Sequence, residues 1–209
     1  MERLSDDMLK LSTLQLDALR EVGNVGAGNA ATALSQIINQ KIDMTVPQVA
    51  IMPLGEVPDV VGGPDAMVAG VYLRVFGAAP SSILFLLPRD SAFYLVDMLM
   101  GRQEGYTTSL SSMDESALME IGNILAGAYL NALSYFTNMT MLPSIPALAM
   151  DMAGAILSVI LAQLGQMGDH ALVIETEFTT DSNGVKGHFF LIPDPGSLST
   201  ILAAIGVKE

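Results

Sequence analysis

Cysteine is absent from the 209 residues, which excludes disulfides, thiolate metal sites and a cysteine nucleophile together. Basic residues are scarce: 9 Lys and Arg stand against 22 Asp and Glu, for a formal net charge of -13. They form no basic stripe of the kind that contact with a phosphate backbone requires, so nucleic acid is not an expected partner. An acidic surface suits a protein that docks onto a partner through localised contacts. The first ten residues are charged and lack the apolar core of a secretory signal, which points to a cytoplasmic chain. Apolar runs of membrane-spanning length are missing as well. The stretch from Ala147 to Leu164 comes nearest, in a chain of mean hydropathy +0.47. A span needs about 20 such residues, yet Asp151 interrupts this run and Gln163 and Gln166 close it. Inserting an Asp costs roughly 2.5 to 3.5 kcal/mol. A buried or partner-facing helix from about Gly154 to Leu164 is the expectation.

What the chain does contain is a repeat. Hydrophobic residues make up 51% and charged residues 15%, enough apolar side chain for one large domain or two small fused units. Glu21 to Gly28 read EVGNVGAG and Glu120 to Gly127 read EIGNILAG. Asp17 precedes Glu21 by four positions, as Ser116 precedes Glu120, and Pro47 and Pro146 each follow their Asn by 23. Every member of the first set recurs at an offset of 99 residues. Internal repeats at a constant offset mark repeated structural units. Further on, Val68–Phe76 and Ile83–Leu87 read as strands ahead of a helix over Ser91–Met100. Ala171–Phe178 and Gly187–Ile192 read as strands ahead of a helix over Ser197–Ile205. Asp181-Ser182-Asn183-Gly184 signals a hairpin turn, and Lys41–Pro47 and Ala50–Leu54 add extended segments. Hairpin connections imply antiparallel pairing. The pattern predicts an α+β fold with pseudo-twofold symmetry, two long motif helices packed on a largely antiparallel sheet. It reads as a single domain, 1–209, made of halves over about 1–105 and 106–209 and joined near Gly101–Ser112.

The first motif helix spans about Leu14 to Asn39. Leu19, Val22, Ala30, Leu34 and Ile37 form its expected buried stripe, and Asp17, Glu21, Asn24 and Gly28 share another face. In the second helix Leu118, Ile121, Leu125, Ala128 and Ala132 are the apolar set, and Ser116, Glu120, Asn123 and Gly127 line the other face. One Glu-x-x-Asn pair means little, because Glu is usually solvated and Asn often caps a helix. Repetition in register favours a task for Glu21, Asn24, Glu120 and Asn123. Asp17 and Ser116 differ chemically and suit capping or first-turn electrostatics equally well. Pro47 and Pro146 read as structural, fixing the chain after each helix. Gly23, Gly26, Gly28, Gly122 and Gly127 each cost about 1 kcal/mol against Ala inside a helix. They allow tight packing or lower the surface so that another protein can approach, and both can hold because different glycines face different ways.

Other chemistries fit poorly. GNVGAG departs from the G-x-G-x-x-G spacing, no Walker A sequence occurs, and these glycines lie within a helix. His170 and His188 are too isolated for a triad or metal site, and no carboxylates cluster as a metal site would require. Asn138-Met-Thr140 matches a glycosylation sequon that a cytoplasmic protein would not use.

The pattern Asp/Ser-x3-Glu-x2-Asn-x22-Pro, present twice, resembles the CheC/CheX/FliY family of chemotaxis phosphatases. Asp17, Glu21, Asn24 and Pro47 fit the first copy, and Ser116, Glu120, Asn123 and Pro146 the second. Two intact motifs in a chain of this length resemble the CheC branch. The resemblance implies hydrolysis of the aspartyl phosphate of the chemotaxis response regulator CheY. It also implies a second partner, the deamidase CheD, docking near Asp151 and Ala155. A phosphoaspartate is an acyl phosphate, so the catalyst's main task is to hold a water in line with phosphorus. A neutral amide can accept a hydrogen bond from that water and donate one to a phosphoryl oxygen. Asn24 and Asn123 are therefore expected to orient water. Glu21 and Glu120 are expected to dock the regulator through its active-site Lys. No cofactor of the chain's own is expected, the Mg2+ being supplied by the regulator. The alternative is a non-enzymatic adaptor or flagellar-switch-like module that binds CheY or CheD without hydrolysis.

Overall fold

The computed structural model describes residues 11–38, 41–46, 49–164, 170–179 and 184–206. The chain opens with α1 (Thr13–Ile38), then the short strands β1 (Asp43–Thr45) and β2 (Val49–Pro53). A 3-10 turn, Leu54–Glu56, leads into the single-turn helix α2 (Val57–Val60). The long strands β3 (Met67–Gly77) and β4 (Ser81–Pro88) follow, then α3 (Arg89–Leu99). The same order then recurs. It comprises α4 (Ser112–Thr137), short strands β5 (Met141–Pro143) and β6 (Ala147–Met152), α5 (Ala153–Leu164), long strands β7 (His170–Thr179) and β8 (Gly184–Pro193), and α6 (Ser197–Ile205). Both motif helices are 26 residues long.

All strand pairs described are antiparallel and form one eight-stranded sheet ordered β1-β7-β8-β4-β3-β5, with β2 also on β7 and β6 also on β3. The short strands are thus exchanged: those of the first half pair with the long β7 of the second, and those of the second half with β3. β4 and β8 meet in the middle, Ile83 opposite Leu191 and Phe85 opposite Phe189. The sheet has a core on each face, which is why β4 reads as a continuous apolar run rather than an alternation. Ile83, Phe85 and Leu87 join the main core beneath α1 and α4. Leu84 and Leu86 point the other way, into a smaller core closed by Ile156, Leu157 and Ile160 of α5 with Leu54 and Val57. The fold is α+β, two long helices on a curled antiparallel sheet, as the sequence pattern predicts.

α1 and α4 approach closely because glycine removes a side chain at the contact. A Cβ on Gly26 would lie 2.7 Å from the Tyr129 ring and 3.1 Å from the Tyr129 Cα, and one on Gly122 would lie 2.4 Å from Val71. Tyr129 fills this junction at 2% exposure, stacked on Phe189 with ring centroids 4.3 Å apart. Its hydroxyl lies 3.2 Å from Thr176 Oγ1, and burial pushes its pKa up to about 12. α4 ends at Asn138, whose left-handed backbone (φ 55°) gives the sequon asparagine a structural role. Arg74 of β3 crosses to Asp194 at the start of the α6 segment, Nη1 to Oδ1 2.7 Å, and so ties the halves together.

The sequence reading needs one correction and leaves two elements unassigned. Ile37, expected in the buried stripe, is 56% exposed; the inward position after Leu34 falls four residues on, at the partly buried Ile38. The helix expected from about Gly154 to Leu164 is α5, while the strand Ala147–Met152 and the helical turn Val57–Val60 are elements the pattern did not assign. The Asp181–Asn183 part of the expected hairpin turn and Asn39 lie outside the described residues. No helix among the described residues is long and apolar enough to cross a membrane.

Candidate functional site

Each motif helix is fixed at its start by a reciprocal cap. Ser12 N donates to Gln15 Oε1 (2.8 Å) and Gln15 N to Ser12 Oγ (3.3 Å). Ser111 N donates to Asp114 Oδ2 (2.9 Å) and Asp114 N to Ser111 Oγ (3.3 Å). The second cap is charged and tied into the loop between the halves. Asp114 is buried and paired with Arg102, Nη1 to Oδ1 2.8 Å. Arg102 also donates to Thr107 Oγ1 (3.0 Å), and Thr107 N to the buried Asp97 (3.0 Å). The Ser111 backbone and hydroxyl bonds hold the Asp114 carboxyl below its ordinary value against the opposing effect of burial, and Arg102 acts with them. The sequence reading missed Asp97, Arg102 and Asp114. Ser-x-x-Gln and Ser-x-x-Asp ahead of an apolar run were the available signal.

With Ser12 and Ser111 in these positions, Asp17 and Ser116 are not caps. Asp17 lies in the second turn, paired with Arg20 at 2.9 Å. Ser116 Oγ donates to the Ser112 carbonyl at 2.9 Å. Both sit on the exposed face one turn ahead of the Glu–Asn pairs. Glu21, Asn24, Glu120 and Asn123 are all exposed, and among the described residues none takes part in a hydrogen bond or ion pair. The amides face outward, which the orienting role expected of them requires. Pro146 is half-buried in the three-residue break between β5 and β6. Pro47 lies outside the described residues.

The glycines divide by environment. Gly26 and Gly122 are packing positions, and Gly23 faces Val46 and Ile174 at ordinary contact distance. Gly28 and Gly127, four residues beyond each Asn, would place a Cβ in open space with nothing within 4 Å. Internal packing therefore explains the first group and leaves the second unexplained. Past Gly28 the surface falls into a groove bordered by Thr32, Ser35, Lys41 and Asp43.

On the other face of the sheet Asp151, next to last in β6, is exposed and accepts a 2.7 Å bond from Met152 N. Ala155 is half-buried in the first turn of α5. Around them Met67, Met152 and Val159 are exposed, with Met67 and Met152 directly opposite in the ladder. His188 is buried within β8, and no three His, Asp or Glu side chains converge among the described residues.

Comparison with known proteins follows the repeat. A family described as CheC-like matches residues 14–51 and 113–150, two segments that share the 99-residue offset. The CheY-P phosphatase CheC of Bacillus subtilis is 40% identical over 198 residues, covering 93% of this chain and 95% of that one. Among solved structures, Thermotoga maritima FliY matches with a TM-score of 0.78 at 20% identity, over 95% of this chain and 99% of that one. A CheX solved as a CheX-CheY-BeF3-Mg+2 complex from Borrelia burgdorferi matches with a TM-score of 0.50 at 14% identity, over 81% and 96%. At these identities the two structures speak to the fold alone.

Proposed function

The chain belongs to the CheC-like family, and from that premise we propose that it is a protein phosphatase acting on the aspartyl phosphate of a CheY-type response regulator. The observation that carries the reading is the pair of exposed Glu–Asn rows at one offset on paired helices, without a hydrogen bond or ion pair among the described residues. An exposed asparagine with no internal bond has both its carbonyl and its amide free for a water and a phosphoryl oxygen. Asn24 and Asn123 orient the attacking water. Glu21 and Glu120 dock the regulator through its active-site lysine. The Mg2+ that phosphoryl chemistry uses belongs to the regulator, and this chain adds position rather than a nucleophile. The name of the B. subtilis relative supports CheY as the partner. The deamidase CheD is a second partner in this reading, seated at Asp151 and Ala155 beside the exposed Met152 and Val159. The reading places the chain in the cytoplasm with its regulator.

Decay of phosphorylated CheY with and without the chain tests the proposal. Catalysis should shorten the phosphoryl lifetime at substoichiometric concentration. Binding without any change in lifetime would replace the phosphatase with an adaptor.

Gly28 and Gly127 yield a second expectation. In the open helix surface G28A/G127A should raise stability by about 1 kcal/mol per site, read as a higher thermal midpoint. If the receiver passes over these positions, the added methyls hold it away from the amides. Turnover then falls about tenfold or more, since small displacements are costly in positioning catalysis. A more stable and equally active variant would show that the glycines do not clear a path.

A further inference from the structure

The face that carries each Glu–Asn pair also carries one bulky apolar side chain that stands exposed and packs on neither core among the described residues. Leu14 and Met113 are the second residues of α1 and α4, 99 positions apart, and each is 65% exposed. On the helical period Leu14 shares a sector with Asp17, Glu21 and Asn24, and Met113 with Ser116, Glu120 and Asn123. Local helix energetics does not call for them, because the first turn favours acidic side chains. Core packing does not call for them either. The apolar contact at each helix start comes from Leu11 and Leu110, also 99 apart and both packed on the main core. A single exposed apolar side chain is ordinary. Two at equivalent positions, in repeats that have diverged to Asp17 against Ser116 and Lys41 against Thr140, call for a shared cause.

Resting on the phosphatase reading, we propose that Leu14 and Met113 are apolar anchors on which the phosphorylated receiver seats itself, positioning Asn24 or Asn123 over the phosphorus. The occupant is the receiver because each anchor is continuous with a Glu–Asn row. Leu14 and Asn24 are about 15 Å apart along the axis, and the row from Leu14 to Gly28 covers about 21 Å. That length lies within the footprint one small folded domain leaves on a partner. An exposed Glu–Lys pair contributes little in water, so a neighbouring desolvated contact is what gives such docking its strength. The anchors are positioning residues and take no part in the chemistry.

The full-length variant L14S/M113S tests this in steady-state hydrolysis of phosphorylated CheY. KM should rise about tenfold while kcat at saturation and the thermal midpoint stay at wild-type values. The exchange L14M/M113L should restore the wild-type KM. An unchanged KM overturns the proposal, as does a fall in kcat that tracks a lower midpoint. Calorimetry with CheY loaded with BeF3 and Mg2+ separates the anchor from the reading it rests on. Wild-type binding that weakens in L14S/M113S, without hydrolysis by either protein, removes the phosphatase and keeps the anchor. Hydrolysis by the wild type with equal binding by both proteins does the reverse.

Discussion

With Asn24 and Asn123 both changed to alanine, phosphorylated CheY should decay at its intrinsic rate, a loss of about a hundredfold or more in stimulated hydrolysis. Among the described residues neither side chain takes part in a hydrogen bond, and both are exposed, so the double variant should unfold at the wild-type midpoint. That separation of activity from stability is what identifies a reacting-face residue. Each single variant keeps one complete row, so the residual rates of N24A and N123A rank the two sites. Aspartate in place of both amides is nearly the same size and should still fail, because it brings a negative charge beside the phosphoryl oxygens and cannot donate to them. Were N24A/N123A to hydrolyse at the wild-type rate, water orientation would have to be sought elsewhere on the molecule. E21A/E120A is the companion measurement, and it should act mainly through KM.

The second large effect is on stability. Tyr129→Ala removes the side chain that fills the junction of α1, α4 and the sheet, and should cost about 3 to 5 kcal/mol in denaturant unfolding. Whole-domain stabilities are about 5 to 15 kcal/mol, so this single change consumes much of the margin. The surrounding structure cannot close the gap easily. Gly26 offers no side chain to move in, and Phe189 is held in its strand by two ladder neighbours, Phe85 and Ile174. Tyr129→Phe keeps the ring stack and loses only the contact with Thr176, for about 1 kcal/mol. A midpoint for Y129A close to that of Y129F would show that the ring is not what holds the helices together.

How far the sequence reached depended on which interactions are local. The motif helices were legible because two faces separate on a 3.6-residue period and the same letters return 99 positions later. The long strands were legible from apolar runs bounded by proline and glycine. β6 was not, since its six residues run without a break into the apolar α5 and periodicity cannot divide strand from helix there. Ile37 was misplaced because its neighbour Ile38 is equally apolar, and three and four residues beyond Leu34 both fall near the buried stripe. The glycines stayed ambiguous in sequence: Gly26 and Gly28 look alike until Tyr129 is seen against one and open space beside the other. The Arg102–Asp114 anchor joins a loop residue to a helix start twelve positions on, a pairing that no period encodes.

The exchanged short strands set a lower limit on what can fold. A fragment ending near residue 105 would contain β3 with one side of its hydrogen-bonding groups bare, because β5 and β6 come from the other fragment. The reciprocal fragment would leave β7 bare in the same way. Unpaired edges of that length invite association, so the smallest self-sufficient assembly is two complementary pieces, whether or not a peptide bond joins them. Joining them in one polypeptide releases the pieces from having to be identical. One row can then keep an Asp where the other has a Ser, giving a single molecule two related faces that can be tuned separately.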